Sequence, residues 1–540
     1  MAGNIQSKIS GLNWSQWLGI LGLAILFVGL RWNNYDAPLN RDEGEYAYSA
    51  QLLIHGRAPY QSAFVQKPPA IFYSYVLSNL LLPDAFWSPR LLASAFVALA
   101  TVLLGLIARL EFGGVLALPV MWLATPMILL PGLDQTDANV EMFMLLPLMA
   151  TVAVYCYARQ HEHKNKFWLM AGFLTATTLL YKYTALPVLA FVFAVWLVEL
   201  WRQSRNVKLI FAALACWAGG GILAAVLGLG FFLLHDGGRH LLECTVLFNR
   251  YYASSSLFGP AYFWREVEVL WRNWWILFLI PWSILLQPRP RVWFWLGIFL
   301  CAVLAANESC YSHYYMIIMP FWAMLCALGI IALALRLSKW LGRLSACATG
   351  LTTIVVMILV LRPDAMWMFL SRQKFVEIKT EGFPFIDALT VAGQVLQRSS
   401  PDDFVYVAGS EPEILYYAQR FSPTRFITSY ALMDPTPLAR GYQSEAINDL
   451  QQHPPKLIVF VQSGYSWTRQ FGTPPEFLDF LEKLLKQDYK LAGGYVKPNA
   501  QDGYWTETLS RDEFMNSSLW LYERKPLQSD NATNTPAQQR

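Results

Sequence analysis

The stretch FWLMAGFLTATTLLYKYTALPVLAFVFAVWLVELW (residues 167–201) decides how the chain is built. Read as one helix it would be about 52 Å long at 1.5 Å per residue, far more than the roughly 30 Å of a bilayer core. Lys182 sits near its middle and Pro187 follows. Lys164 and Lys166 precede it, and Arg202, Arg205 and Lys208 follow. Both flanks carry the basic residues expected on the cytoplasmic side, so the chain must cross an even number of times between them. Two short spans, 167–182 and 185–201, turning at Lys182, meet that condition.

The same length criterion applied outward gives further spans at 14–31, 88–108, 114–131, 140–158, 209–234, 268–287, 291–306, 314–335 and 344–361, about eleven in all. Arg109, Arg159, Arg289, Arg291, Arg336, Lys339 and Arg343 then fall on the cytoplasmic side together. The N-terminus is cytoplasmic, and the loop 32–87 and everything after 362 are extracytoplasmic. Arg239, Arg250 and Arg265 run against this count by lying on the outer side, in the loop 235–267. The first apolar run has no small-residue cleavage site after it and reads as an uncleaved span.

Composition agrees. The 540 residues are 55% hydrophobic and only 14% charged, against about 25% charged in a soluble domain. The 22 Trp and 26 Tyr suit many membrane interfaces. With a net charge of +4 and the cations scattered between apolar runs, nucleic acid is excluded as a partner. The seven Cys form no CxxC pair; Cys244 and Cys310 both fall in outer loops, where a disulfide between them is one reading.

From 363 the character changes. Strand-like 404–408, 425–428, 457–461, 489–496 and 519–522 alternate with helix-like 383–397, 411–419, 442–452 and 475–486, which predicts an α/β domain. The expected organisation is a transmembrane domain at 1–362, an extracytoplasmic α/β domain at 363–525 and a polar, disordered tail at 526–540. The fold class is thus an α-helical polytopic membrane domain followed by an α/β domain, in a cell (inner or plasma) membrane.

The candidate chemistry sits at the outer rim. The first loop reads Asn40-Arg-Asp-Glu-Gly-Glu-Tyr46 and continues to Gln66-Lys-Pro-Pro-Ala70. Asp42, Glu43 and Glu45 stand within four positions just after a span. Asp42 with Glu45 also fits a capping box, with Gly56 closing the helix. A carboxylate so fixed is also able to act as general base. Lys67 precedes two prolines that stiffen the chain; snorkelling is the plainer reading for it. Lys182, among Tyr181, Tyr183 and apolar residues, points to a cavity or partner, or to a lysine at a tight turn. Asp134, Asp137 and Glu141 form a further acidic group at the outer mouth of the span from 140, where capping by Asp137 is an alternative. Tyr311-Ser-His313-Tyr314-Tyr315 stands at another outer mouth, with an interfacial belt as its other reading.

Carboxylates, lysines and a histidine from four loops share one side. That set suits transfer from a phosphate-linked donor, with a base for the acceptor hydroxyl and lysines for the departing phosphate. There is no GxGxxG after a strand and no P-loop, and the inner loops are short, which disfavours a nucleotide-sugar donor. A divalent metal on Asp42, Glu43 and His313 is possible, though their spacing does not demand it. A transporter or flippase, or a polymerase or ligase of lipid-linked glycans, are the competing classes; charges at the rim and the lack of an internal repeat favour the enzyme over the transporter.

At Asp42-Glu43, Glu45-Tyr46-Ala47 and Lys67-Pro68-Pro69 the chain resembles the membrane glycosyltransferases of the GT-C fold, above all the dolichyl-phosphate-mannose protein mannosyltransferases and the lipid A aminoarabinose transferases. The Lys182 turn and His313-Tyr314-Tyr315 are also similar. The resemblance implies inverting transfer from a polyprenyl-phosphate sugar to a lipid, glycan or protein acceptor. By it, Asp42 is the acceptor-facing base, with Glu43 beside it, and Lys67 and Lys182 contact the donor phosphate. Apart from the resemblance, Glu45, Tyr46, Asp134, Asp137, His313 and Tyr314 are the candidate substrate-binding residues. The chain departs from the aminoarabinose transferases in having Gly44-Glu45 where they carry Thr-Arg.

Overall fold

A computed structural model describes residues 14–83, 85–129, 136–161, 164–235, 237–251, 290–306, 312–341, 365–497 and 503–526, with isolated positions between 264 and 359. The chain divides into two compact units. The first comprises 1–61 and 65–381, the second 62–64 and 382–540.

The first unit is helical: α1 (Trp14–Arg31), α2 (Arg41–Ile54), α3 (Ala70–Leu81), α4 (Ser88–Phe112), α5 (Ala117–Leu129), α6 (Val140–Gln160), α7 (Asn165–Tyr181), α8 (Leu186–Ser204) and α9 (Val207–Leu234), with further helices at Pro290–Ala306 and Met319–Leu341. Among the described residues five helices are long and apolar enough to cross a membrane: 16–34, 88–112, 140–160, 183–204 and 207–234. Shorter apolar helices occupy 70–81, 114–129, 291–306 and 319–332. The protein is thus a multi-pass membrane protein. The expected spans at 268–287 and 344–361 lie largely outside the described residues.

Burial follows the membrane setting. α6 is nearly all buried and forms the centre of the unit. α9 leaves Ile222, Val226 and Leu227 about two-thirds exposed, as lipid-facing side chains require, because nothing polar covers them. The 167–201 stretch does break at Lys182. Its backbone is extended (φ −158°, ψ 128°) between α7 and a short 3₁₀ turn, Tyr183–Ala185, that leads into α8. Small residues let α7 and α9 approach closely. A Cβ added to Gly220 would lie 1.9 Å from the Leu169 carbonyl oxygen, and one added to Gly172 would lie 1.9 Å from that of Trp217.

The start of α2 corrects one expectation. The capping box is Asn40 with Glu43, not Asp42 with Glu45. Asn40 Oδ1 accepts the Glu43 N–H at 2.8 Å, and Glu43 Oε2 accepts the Asn40 N–H at 3.3 Å. Asn ranks with Asp as a cap, so sequence favoured neither. Gly56, with φ +70°, closes the helix as expected.

The second unit carries a five-stranded sheet ordered β1-β2-β5-β3-β4, with β1 (Val405–Ala408), β2 (Leu457–Val461), β3 (Tyr489–Val496), β4 (Tyr504–Thr506) and β5 (Ser517–Arg524). β1 and β2 are parallel, Val405 opposite Leu457, and the other pairs are antiparallel. The parallel pair needs a crossover, supplied by helices that include Ala439–Gln452. Residues 425–428 form no strand; Phe421 makes an isolated bridge to Phe404 instead. β4 was not expected, because three residues after a Gly carry too little pattern to read. Cys244 is a free, buried thiol, and Cys310 lies outside the described residues. So does the tail from 527.

Candidate active site

α2 turns about 100° per residue, so Asp42, Glu45 and Tyr46 share one face and Glu43 points elsewhere. Glu43 and Arg90 are both fully buried. Arg90 Nε donates to Glu43 Oε1 at 2.8 Å and Nη2 to Oε2 at 2.5 Å. The Ala138 N–H donates to Oε1 at 2.8 Å. The rest of the guanidinium donates to the carbonyls of Asn34, Ala37 and Pro38 at 2.5–2.9 Å. Burial works against the charge on Glu43, but Arg90, Lys379 and the Ala138 N–H outweigh it and hold the carboxyl down to about 2. With the Asn40 N–H, each oxygen accepts two hydrogen bonds, so Glu43 has no lone pair left for a substrate. This corrects its expected place beside Asp42 as a catalytic group. It also takes apart the candidate metal trio Asp42, Glu43 and His313. Among the described residues no three His, Cys, Asp or Glu side chains are grouped as metal ligands.

Asp137 joins the same supporting network. Its carboxylate accepts from Asn40 Nδ2 at 2.6 Å and pairs with Lys379. Burial raises its pKa. Arg31 reinforces this layer through Ser94 Oγ at 2.9 Å and the Thr136 carbonyl at 3.2 Å. Asp137 therefore braces the N-terminus of α2 through Asn40. Asp134 lies outside the described residues.

The other face of α2 meets a second set of charges. Asp42 is half-buried and Glu45 buried. Burial opposes the charge on Lys67, yet Tyr314, Asp42, Glu141 and Glu45 around it raise its pKa above the ordinary lysine value. Lys182 is buried and pairs with Glu141, and its Nζ lies 3.0 Å from the centroid of the Tyr314 ring. Burial lowers the pKa of His313, Lys182 and Lys67 act with it, and Glu141 and Asp42 oppose it; the net shift is downward, which leaves the ring neutral at pH 7. Tyr46 is buried against Tyr75 at 5.7 Å, edge to face, and burial beside Asp42, Glu45 and Glu141 keeps its phenol protonated.

The backbone fixes Lys67. Tyr60 Oη donates to the Lys67 carbonyl at 2.8 Å, and Asn249 Nδ2 donates to the Gln66 carbonyl at 3.0 Å. Pro68 precedes Pro69, which takes the N-cap position of α3. The structure therefore brings together Asp42, Glu45, Tyr46, Lys67, Lys182, His313 and Tyr314, and separates Glu43 and Asp137 from them. Glu141 belongs to the acidic group read before the span at 140, and Arg90 was not singled out. Glu141 stands in the first turn of an apolar helix, a signal in itself. Arg90 opens another such helix and reads from sequence only as an end-of-span cation.

Residues 66–219 match the family model of the dolichyl-phosphate-mannose-protein mannosyltransferases. No curated protein sequence matches the chain. In fold the chain is similar to the crystal structure of ArnT from Cupriavidus metallidurans bound to undecaprenyl phosphate, at 14% identity over 94% of this chain and 98% of that one, with a TM-score of 0.56. The apo state of the same protein gives 0.55, with the same identity and coverage. The chain thus shares the fold of these structures, that of a multi-pass membrane protein. Of the first-loop motifs, the mannosyltransferase model takes in Lys67-Pro68-Pro69 and begins after Asp42–Ala47.

Proposed function

We propose that the protein is an inverting glycosyltransferase that uses a polyprenyl-phosphate sugar at the outer face of the membrane. The observation that carries this reading is the convergence of Lys67 and Lys182, from separate loops, beside Asp42, Glu141 and Tyr314. Two buried or half-buried ammonium groups at one spot suit an anionic phosphate. A structure of the same fold is bound to undecaprenyl phosphate, which supports a lipid phosphate as the leaving group.

The chemistry follows from charge. The acceptor hydroxyl gives its proton to Asp42 as its oxygen bonds to the anomeric carbon from the face opposite the phosphate. The carbon–oxygen bond to phosphate breaks, and its electron pair leaves with polyprenyl phosphate, where Lys67 and Lys182 balance the charge. Glu141 holds Lys182 in place until phosphate competes for it. Neutral His313, with Tyr46, Glu45 and Tyr314, lines the substrate space. The reading includes about eleven spans, a cytoplasmic N-terminus, a transmembrane domain over 1–362 and an extracytoplasmic domain over 363–525.

The test is a panel of labelled polyprenyl-phosphate sugars offered to the purified protein in nanodiscs, with a membrane extract as acceptor. Label should pass to a new product with release of polyprenyl phosphate. Asp42→Asn should lower the rate at least about a hundredfold with folding intact. A rate near wild type for that variant would sink the assignment of the base.

A further inference from the structure

Ser62–Phe64 belong to the C-terminal unit, while Gln61 and Val65 on either side belong to the helical one. Phe64 is fully buried in an aromatic cage of that unit. Its ring stacks on Phe426 (5.6 Å, 22°) and meets Tyr442 (5.2 Å) and Tyr430 (6.2 Å) edge to face. The Arg425 guanidinium lies 5.3 Å from the ring centroid and is itself fixed by Glu445 through bonds of 2.6 and 2.9 Å. The backbone of Phe64 is satisfied in the same place. Its N–H donates to the Arg425 carbonyl at 2.6 Å, and the Tyr430 hydroxyl donates to its carbonyl at 3.1 Å.

This is specific seating for one side chain in the middle of a loop. Aromatic contacts of this geometry add directional preference to burial, and a cation over the ring adds more. Three residues later comes Lys67. Extended chain advances at most about 3.6 Å per residue, so the two Cα atoms lie within about 11 Å. Pro68 and Pro69 stiffen the chain on the far side. Tyr60, whose φ of +62° is unusual for a residue with a side chain, holds the near side by its bond to the Lys67 carbonyl. Lys67 thus sits on a segment fixed at both ends.

We propose that Phe64 is a positioning residue for Lys67, and that its seat in the Phe426–Tyr430–Tyr442 cage makes the C-terminal unit a determinant of donor binding. The inference rests on the reading of Lys67 as a ligand of the donor phosphate. It gives the C-terminal unit a task in the reaction without requiring any of its residues to touch the substrate.

The test uses the full chain in nanodiscs and reads amide hydrogen exchange over 57–69 together with steady-state kinetics. Phe64→Ala should speed exchange at 62–67 about tenfold or more and raise the KM for donor about tenfold, with kcat and the acceptor KM changed less than about threefold. Tyr430→Phe keeps the ring and removes one hydrogen bond, so it should move the same quantities in the same direction by less. It also keeps the test open if Phe64→Ala fails to fold. Unchanged exchange in the variants overturns the proposal whether or not the protein transfers sugar. Faster exchange with an unchanged donor KM overturns it as well. No transfer by the unmodified protein would count against the transferase reading, and the exchange arm would still decide the seat of Phe64.

Discussion

Asp42 and Glu43 are neighbours in sequence, yet one step of α2 sends Glu43 to Arg90 and leaves Asp42 on the open face. Substitutions should separate the two roles. Glu43→Ala strands a buried guanidinium and should destabilise the protein by about 3–5 kcal/mol, read as a lower Tm in detergent. Asp42→Asn should leave Tm nearly unchanged and remove transfer. Glu43 also predicts a pH dependence. Its carboxyl is depressed from 4.5 to about 2 in the folded protein, so the stabilisation is fully present above the unfolded value and fades as pH falls from about 4.5 through 2. Thermal unfolding across that window should show a loss that Glu43→Gln lacks. Lys67→Ala should raise the donor KM about tenfold or more and spare the acceptor KM; equal donor kinetics would return Lys67 to a snorkelling role. The acidic cluster and the Lys-Pro-Pro segment were legible in the sequence because side chains of that chemistry are rare beside apolar spans. Which carboxylate was free was not legible, since the partner of Glu43 lies 47 positions away.

The elements follow patterns that are local. The break at Lys182 and the closing Gly56 each depend on a few adjacent residues, and each stands where the sequence placed it. How the helices pack depends on which small residues face one another. Gly220 on α9 is closed off by the backbone of α7, whereas a Cβ at Gly219 would meet nothing nearer than a Leu169 methyl at 3.9 Å. Gly220→Ala should therefore lower stability by about 1–3 kcal/mol through overpacking. Gly219→Ala should have little effect, and thermal unfolding of the pair checks the contrast. In the C-terminal unit β4 and the irregular 425–428 stretch were missed for one reason. Short strands are defined by their partners across the sheet, and pairing is not a local property.

For the molecule as a whole, the basic flanks predict that the first loop and the C-terminal unit face the same, extracytoplasmic, side. A cysteine introduced at Ser400 should react with a membrane-impermeant thiol reagent in intact cells, and one introduced at Gln203 only after permeabilisation. The reverse pattern would overturn the topology. By itself the sequence determined that this is a membrane protein with a rim of charge and a following α/β unit. Hydrophobicity, charge placement and strand pattern are sums over neighbouring residues and need no fold to be read. Only the tertiary structure decided that Glu43 pairs with Arg90 and Asp137 with Lys379, that Glu141 belongs with Lys182, and that Phe64 leaves its own loop for the C-terminal unit. Each of these is a pairing between distant segments. The free energy of burying a charge or a ring is set by what surrounds it in space, and sequence alone does not fix those surroundings.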